Sequence, residues 1–407
     1  MALYFFVMFF LICLLAFSYK VSKKAIVSSY YYIYYFAFAL VSAFFIENGA
    51  YMLEVERYGR ANGTFLTIAA FFAIGLVCIV IGYAAHEAIF RSPVFDVRYR
   101  KVESIVAYFF LLSSGMVALY VFAKYSGPLF LGVERFEFWN NIVPSSLAFA
   151  KSMITQAFFF VPMLLVLVRK RLVFLVVVIF WVAITVLVLG EKFTAFQYYL
   201  TIGGLYLAVL FERGALKGLP LFKVLLLAVL MVVLVALVYE KSGYGFSFIV
   251  DRVALQSQLT WLVIEDSIVM NSLTGAANAL DQAALSSARY DNYRALGIGL
   301  TGYIPAVHIS VFGVFLGIFL HCFACFGFGF IQAEIVGLIN KGAVVHGFVV
   351  FKLYIAFLFF WMTSDPSHIY GFVNFLCILI LFAGVLMKLS LRLRGTPVLE
   401  ISPNKYG

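Results

Sequence analysis

Four stretches of this 407-residue chain place a cation among polar neighbours. They are "GEKFTAF" at 190–196, "DRVALQSQLTWLVIED" at 251–266, "DNYRALGIGLTGYIPA" at 291–306, and the residues around Arg135 in the segment 124–146, "KYSGPLFLGVERFEFWNNIVPSS". Their cations are Lys192, Arg252, Arg294 and Arg135. A guanidinium presents paired N–H donors to phosphate oxygens and stays charged at any relevant pH, so such a set suits a phosphate-bearing lipid headgroup. Groups able to take a proton from a hydroxyl stand in or just beyond the same stretches: Glu191, Asp251, Glu265, Asp266, Asp291 and His308. The spacing does not choose among them. Gln256, Gln258, Trp261 and Tyr303 offer hydrogen bonds or an apolar face to a bound substrate. Each cation taken alone reads first as a headgroup anchor or a structural ion pair, since charges at helix ends are common.

The run "RALGIGLTG" at 294–302 contains Gly297, Gly299 and Gly302 in the spacing of a dinucleotide-binding turn. That motif needs an acid about 20 residues later. The corresponding position falls among His321 and Cys322, and the next acid is Glu334, so no nucleotide site is expected. Thr301 suits a helix cap and Pro305 a first helical turn, which predicts a helix start here. Glycines before such a start let the backbone approach an anion, and Gly299 and Gly302 are the candidates. A flexible turn accounts for the same glycines.

What must position these residues is a membrane-embedded body. With 65% hydrophobic residues, 12% charged residues and a mean hydropathy of +1.05, the chain is not a set of soluble domains. Apolar runs of near-spanning length fall at 2–19, 25–45, 65–85, 104–123, 147–168, 172–190, 193–211, 222–240, 303–330, 344–362 and 370–388. The expectation is an all-α polytopic protein of about 11 transmembrane helices, residues 1–407 forming one integral membrane domain. Lys20, Lys23 and Lys24 follow the first run directly, which reads as an anchor with the N-terminus outside. Alternate loops then hold 18 of the 29 Lys and Arg residues, which assigns that set to the cytoplasm. The net charge of +10 is scattered over these loops, so it marks topology and no nucleic-acid patch. His321, Cys322 and Cys325 lie on one apolar stretch and are read as packing residues, since one helical face supplies too few ligands to close a metal site. Lys352 is the clear charge deep in a run, with Glu334 near the inner end of another.

The four cationic stretches all fall on the outer side. The largest outer loop, 241–302, is too apolar to read as disordered, and part of it is expected to lie as a helix on the membrane surface with Arg252 and Gln256 on one face. In the smaller loop, 124–146, the aromatics are expected to anchor at the interface. No internal repeat is visible by eye.

The run "RVALQSQLTW", the "GLTGYIPA…FGVFLG" opening of a late span and the "LGEKF" motif resemble the Wzy-type O-antigen polymerases, which join oligosaccharide repeat units at the bacterial inner membrane. The resemblance covers most of the chain in architecture, although an odd span count with an external N-terminus departs from the family's usual arrangement. It implies a fold similar to lipid-dependent (GT-C-like) membrane glycosyltransferases. It also implies transfer of a glycan from undecaprenyl diphosphate to a hydroxyl of an incoming lipid-linked unit at the periplasmic face, with no nucleotide and no cofactor. Periplasmic arginines carry that activity in the family, which by motif points to Arg252 and Arg294, then Lys192, with Arg135 a weaker match. Partners implied are the lipid-linked oligosaccharide, membrane lipids, and a flippase and chain-length regulator of the same pathway. An O-antigen ligase and a lipid-linked oligosaccharide flippase are the alternatives.

Overall fold

The computed structural model describes residues 2–49, 51–52, 57–58, 63–90, 100–133, 135–168, 171–190, 194–215, 304–363 and 386. Among them the backbone is helical apart from one antiparallel pair, β1 (Tyr51–Met52) with β2 (Arg57–Tyr58). The main helices are α1 (Ala2–Val21), α2 (Lys23–Ser28), α3 (Tyr30–Glu47), α4 (Thr64–Phe90), α5 (Arg100–Tyr125), α6 (Pro128–Leu131), α7 (Arg135–Glu137), α8 (Ala148–Ala157), α9 (Arg171–Leu187), α10 (Thr194–Glu212), α11 (Ile304–Asn340) and α12 (Val344–Thr363). Long apolar segments take this form because a helix satisfies every backbone N–H and C=O within itself, which lipid cannot do for it.

Five helical segments are long and apolar enough to cross a membrane: Leu3–Val21, Thr64–Phe90, Lys101–Leu131, Ser145–Val166 and Leu316–Asn340. Four shorter apolar helices accompany them, at Tyr30–Val41, Leu172–Leu187, Tyr198–Glu212 and Val344–Leu358. This is an α-helical membrane protein. The described residues do not reach the eleven spanning helices expected from the runs; the run at 222–240 and, apart from Leu386, that at 370–388 lie outside them. Exposed Phe5, Phe6, Phe9, Phe109 and Leu172 are ordinary on such a body, since lipid tails are as apolar as they are.

Three runs differ from their expected form. The run at 25–45 is broken at Ser29, with Ser22 capping α2 through the Ala25 N–H. The run at 147–168 passes from α-helix through a 3₁₀ turn (Phe158–Phe160) to a π-helix (Leu164–Val168), around Pro162, which has no N–H to continue an α-helix. The run at 303–330 continues as helix to Asn340. Gln332 and Glu334 do not end it because both are buried against polar partners on other helices.

The centre of the bundle is the parallel pair α4 and α11. A Cβ on Gly82 would stand 2.1 Å from the Phe326 carbonyl oxygen, and one on Gly329 would stand 2.0 Å from that of Ile79. The approach is reciprocal, so a local two-fold axis runs between the helices. The sequence carries the same symmetry: Cys78, Gly82 and Glu87 in "CIVIGYAAHE" match Cys325, Gly329 and Glu334 in "CFGFGFIQAE" at identical spacing. Small residues at these positions bring the backbones close enough for Cα–H contacts to carbonyls, the usual way helices associate in lipid.

Contacts between helix ends sort them into two groups. At one end, called the near end, Glu47 at the close of α3 accepts the Tyr4 hydroxyl of α1 (2.7 Å) and the Phe65 N–H of α4 (2.9 Å). At the far end, Lys24 of α2 pairs with Glu87 of α4 and lies 3.7 Å from Glu212 of α10. The Arg213 guanidinium donates to the Asn340 side chain (2.8 Å), the Asn340 carbonyl (2.6 Å) and the Val166 carbonyl (2.9 Å), satisfying two helix C-termini at once. Glu103 of α5 accepts the Val345 N–H (3.0 Å) and pairs with the His346 ring (2.7 Å), which caps the start of α12 from another helix. These contacts make α2 and α3 run the same way, as one helix broken at Ser29, while α1, the α2–α3 unit, α4 and α5 alternate in direction.

His86 and Glu334 meet at 2.7 Å near the far end, with side chains only 4% and 3% exposed. Removing one partner of such a pair leaves a buried polar group uncompensated, at a cost of about 3–5 kcal/mol where the group is charged. His86→Ala and Glu334→Ala are each expected to lower the unfolding temperature of the purified protein by many degrees. The double variant should be less destabilised than the two singles added together; strict additivity would show that the pair is not coupled.

Candidate functional site

The site is built where α5 and α9 end, at the near end of the bundle. After α5, Ser126 takes a left-handed conformation (φ 60°), and Gly127 and Pro128 open the short helix α6. A Cβ on Gly127 would lie 1.8 Å from the Leu187 carbonyl oxygen, so the end of α5 sits directly on the end of α9. Gly132, at φ 65°, closes α6 and turns the chain into α7, which begins with the half-buried Arg135.

Gly190 follows α9 and is the first residue of the "GEKF" stretch. It has φ +65°, and a Cβ there would meet Pro128 Cγ at 2.6 Å and Arg135 Cβ at 3.1 Å. Two of the four cationic stretches, more than 50 residues apart in sequence, are thus in contact. Only glycine fits, for conformational and steric reasons alike. Gly190→Ala is expected to displace the Arg135 turn at a strain of roughly 1–2 kcal/mol. Cells carrying it should hold normal amounts of the protein in their membranes while its activity drops; unchanged activity would remove this contact from the site.

α7 runs into a π-turn, Phe138–Ile142, in which Phe138 and Trp139 are buried with rings edge to face at 5.5 Å. These two aromatics were expected to anchor the loop at the interface. They are core residues instead, and the outward apolar surface here is Leu129, Phe130 and Leu131 of α6. Lys124 adds a further cation at this end; its ammonium lies 5.7 and 5.4 Å from the ring centres of Tyr120 and Tyr125.

Of the other expected site residues, Glu191, Lys192, Asp251, Arg252, Gln256, Gln258, Trp261, Glu265, Asp266, Asp291, Arg294, Gly299, Gly302 and Tyr303 lie outside the described residues. His308 stands in the second turn of α11; its side chain is also outside them. The helix start expected after Gly302 is found at Ile304. Because α11 runs parallel to α4, that start belongs to the near end, the end that carries Arg135 and Gly190.

His321 and Cys325 have a local account. The buried His321 ring lies 3.0 Å from the Phe71 carbonyl and 3.3 Å from the Tyr32 hydroxyl, and Cys325 Sγ is 3.6 Å from it. Lys352, half-buried on α12, has its ammonium 6.0 Å from the centre of the Phe348 ring. Sequence reasoning missed His86, Glu103 and His346, and it used Lys24 and Arg213 only as markers of topology. A signal was present in the pattern: acids at 87, 103 and 334 all stand near the ends of apolar runs.

Compared with models of known protein families, with curated proteins and with solved structures, the chain matches none.

Proposed function

We propose that this chain is an O-antigen polymerase of the bacterial inner membrane. It joins undecaprenyl-diphosphate-linked oligosaccharide units at the periplasmic face, with the near end of the bundle facing the periplasm. The observation that carries the reading is the contact of Gly190 with Arg135. It brings two remote cationic stretches together at the end where α11, led in by Arg294 and the glycines, also begins.

The chemistry asks little more of the protein than this arrangement offers. A lipid diphosphate is already a good leaving group, and the main task is to stabilise the charge that develops on it. Arg252, Arg294, Lys192 and Arg135 are assigned to that charge, with the backbone at Gly299 and Gly302 approaching it. Removal of the acceptor proton falls to one of Glu191, Asp251, Glu265, Asp266, Asp291 or His308. The glycan contacts fall to Gln256, Gln258, Trp261 and Tyr303. No metal, cofactor or nucleotide enters this scheme.

A flippase would need ionisable groups along a route through the bundle. The buried pair His86–Glu334 and the partly exposed pair Glu103–His346 are instead closed on one another at the far end. Deleting the gene and resolving the lipopolysaccharide on a gel separates the readings. A single repeat on core is the expected result. Bare core with accumulated lipid-linked polymer would indicate a ligase, and loss of any periplasmic intermediate a flippase.

A further inference from the structure

Where α3, α4, α11 and α12 meet, the packing leaves an internal cavity of about 10 Å³, lined by Tyr31, Tyr32, Tyr35, Gln332 and Tyr354 together with apolar neighbours. Cavities left empty inside proteins are apolar; a void needs about this volume, and two to four polar partners, to hold one water. Gln332 shows why this one is not left empty. Its carbonyl oxygen accepts from Ser29 (2.8 Å) and lies 3.2 Å from the Ser28 hydroxyl, whose one hydrogen it shares with the Ala25 carbonyl (3.1 Å). Its amide donates one N–H to the Tyr354 hydroxyl at 2.9 Å. The second amide hydrogen and the hydrogen of the Tyr354 hydroxyl have no acceptor among the described residues, and both groups are buried at the cavity wall. Tyr32 also lines the cavity, and its hydroxyl lies 3.3 Å from the His321 ring.

We propose that this cavity is a binding site for a single water molecule, held by Gln332, Tyr354 and the tyrosine hydroxyls of α3. The water accepts the hydrogens that Gln332 and Tyr354 place on no described residue and donates its own to hydroxyl oxygens. It thereby ties the Ser28–Ser29–Gln332–Tyr354 cluster to the tyrosines of α3, linking α2, α3, α11 and α12. Such a link fixes the helices around the α4–α11 pair with directional bonds, where apolar packing alone would allow sliding. This inference is independent of the function proposed above.

Radiolytic labelling with a pulsed X-ray beam tests it, because hydroxyl radicals born from a bound water modify the side chains next to it even where bulk solvent does not reach. The full-length protein is exposed in lipid nanodiscs and labelling is read by mass spectrometry. Tyr31, Tyr35 and Tyr354 are expected to be modified severalfold faster than Tyr206, which is as deeply buried and does not line the cavity. Equal rates would overturn the proposal. Leu358→Phe, which fills the cavity from its apolar side, should bring the three rates down to that of Tyr206; persistence of fast labelling in this variant would equally overturn it.

Discussion

Gly82→Val is expected to leave little or no folded protein in the membrane, with Gly329→Val behaving the same way. A Cβ on either residue would stand about 2 Å from a backbone carbonyl oxygen of the facing helix, well inside any real contact. Overpacking of a side chain against side chains costs about 1–3 kcal/mol because the neighbours can change rotamer. A carbonyl held in a helix has no such freedom, so α4 and α11 must move apart. Separation would also open the His86–Glu334 pair, whose partners sit on those two helices four or five residues further on. The measurement is the amount of monodisperse protein extracted in mild detergent. Gly203→Ala is the control, because a Cβ there meets nothing within 4 Å. It should be recovered at wild-type levels, and a Gly82→Val protein recovered as well as this control would refute the packing account.

The α4–α11 pair also marks the limit of what a reader of the sequence alone can see. That 65–85 and 303–330 form helices was legible, because an unbroken apolar run has no other stable form in lipid. That they lie against each other was not. Their apolar surface is spread all round, so no stripe of residues says which face meets protein and which meets lipid. The signal that does exist is sparse, three matching residues in ten, and it becomes visible only when Gly82 and Gly329 are seen facing each other's backbones. The far-end pairs were hidden for a different reason. His86, Glu103 and His346 look like ordinary charges beside a membrane surface, and only tertiary contact shows them paired. Trp139 was misread by the opposite route: an aromatic in a loop flanking a span suits the interface on its type alone, but the π-turn after Arg135 rotates it into the core. Of the candidate site, the nearness of Arg135 to the "GEKF" stretch could not be read from sequence at all. It depends on the seating of Gly127 on Leu187, a contact between one backbone and another.

Arg252→Ala and Arg294→Ala are each expected to abolish polymer while leaving the protein in the membrane at wild-type abundance. The visible product is lipopolysaccharide carrying a single repeat unit. The size of the effect follows from what a guanidinium does in the proposed transfer. Charge grows on the diphosphate as the glycosidic bond lengthens, and one donor aimed at a developing charge contributes on the order of 10²–10³ in rate. A polymer of many units multiplies such a loss, since every added unit repeats the step. Lysine at either position should recover part of the activity, because it restores the charge but not the paired donors that match a phosphate. Ordinary headgroup anchors would behave differently: alanine would be tolerated at both positions, and full-length chains from the double variant would sink the assignment. Gly190→Ala supplies a geometric comparison, since it moves Arg135 without removing any cation. If the diphosphate is held by cations from several stretches of the near end, that variant should shorten the chains, whereas loss of Arg252 or Arg294 should end polymerisation.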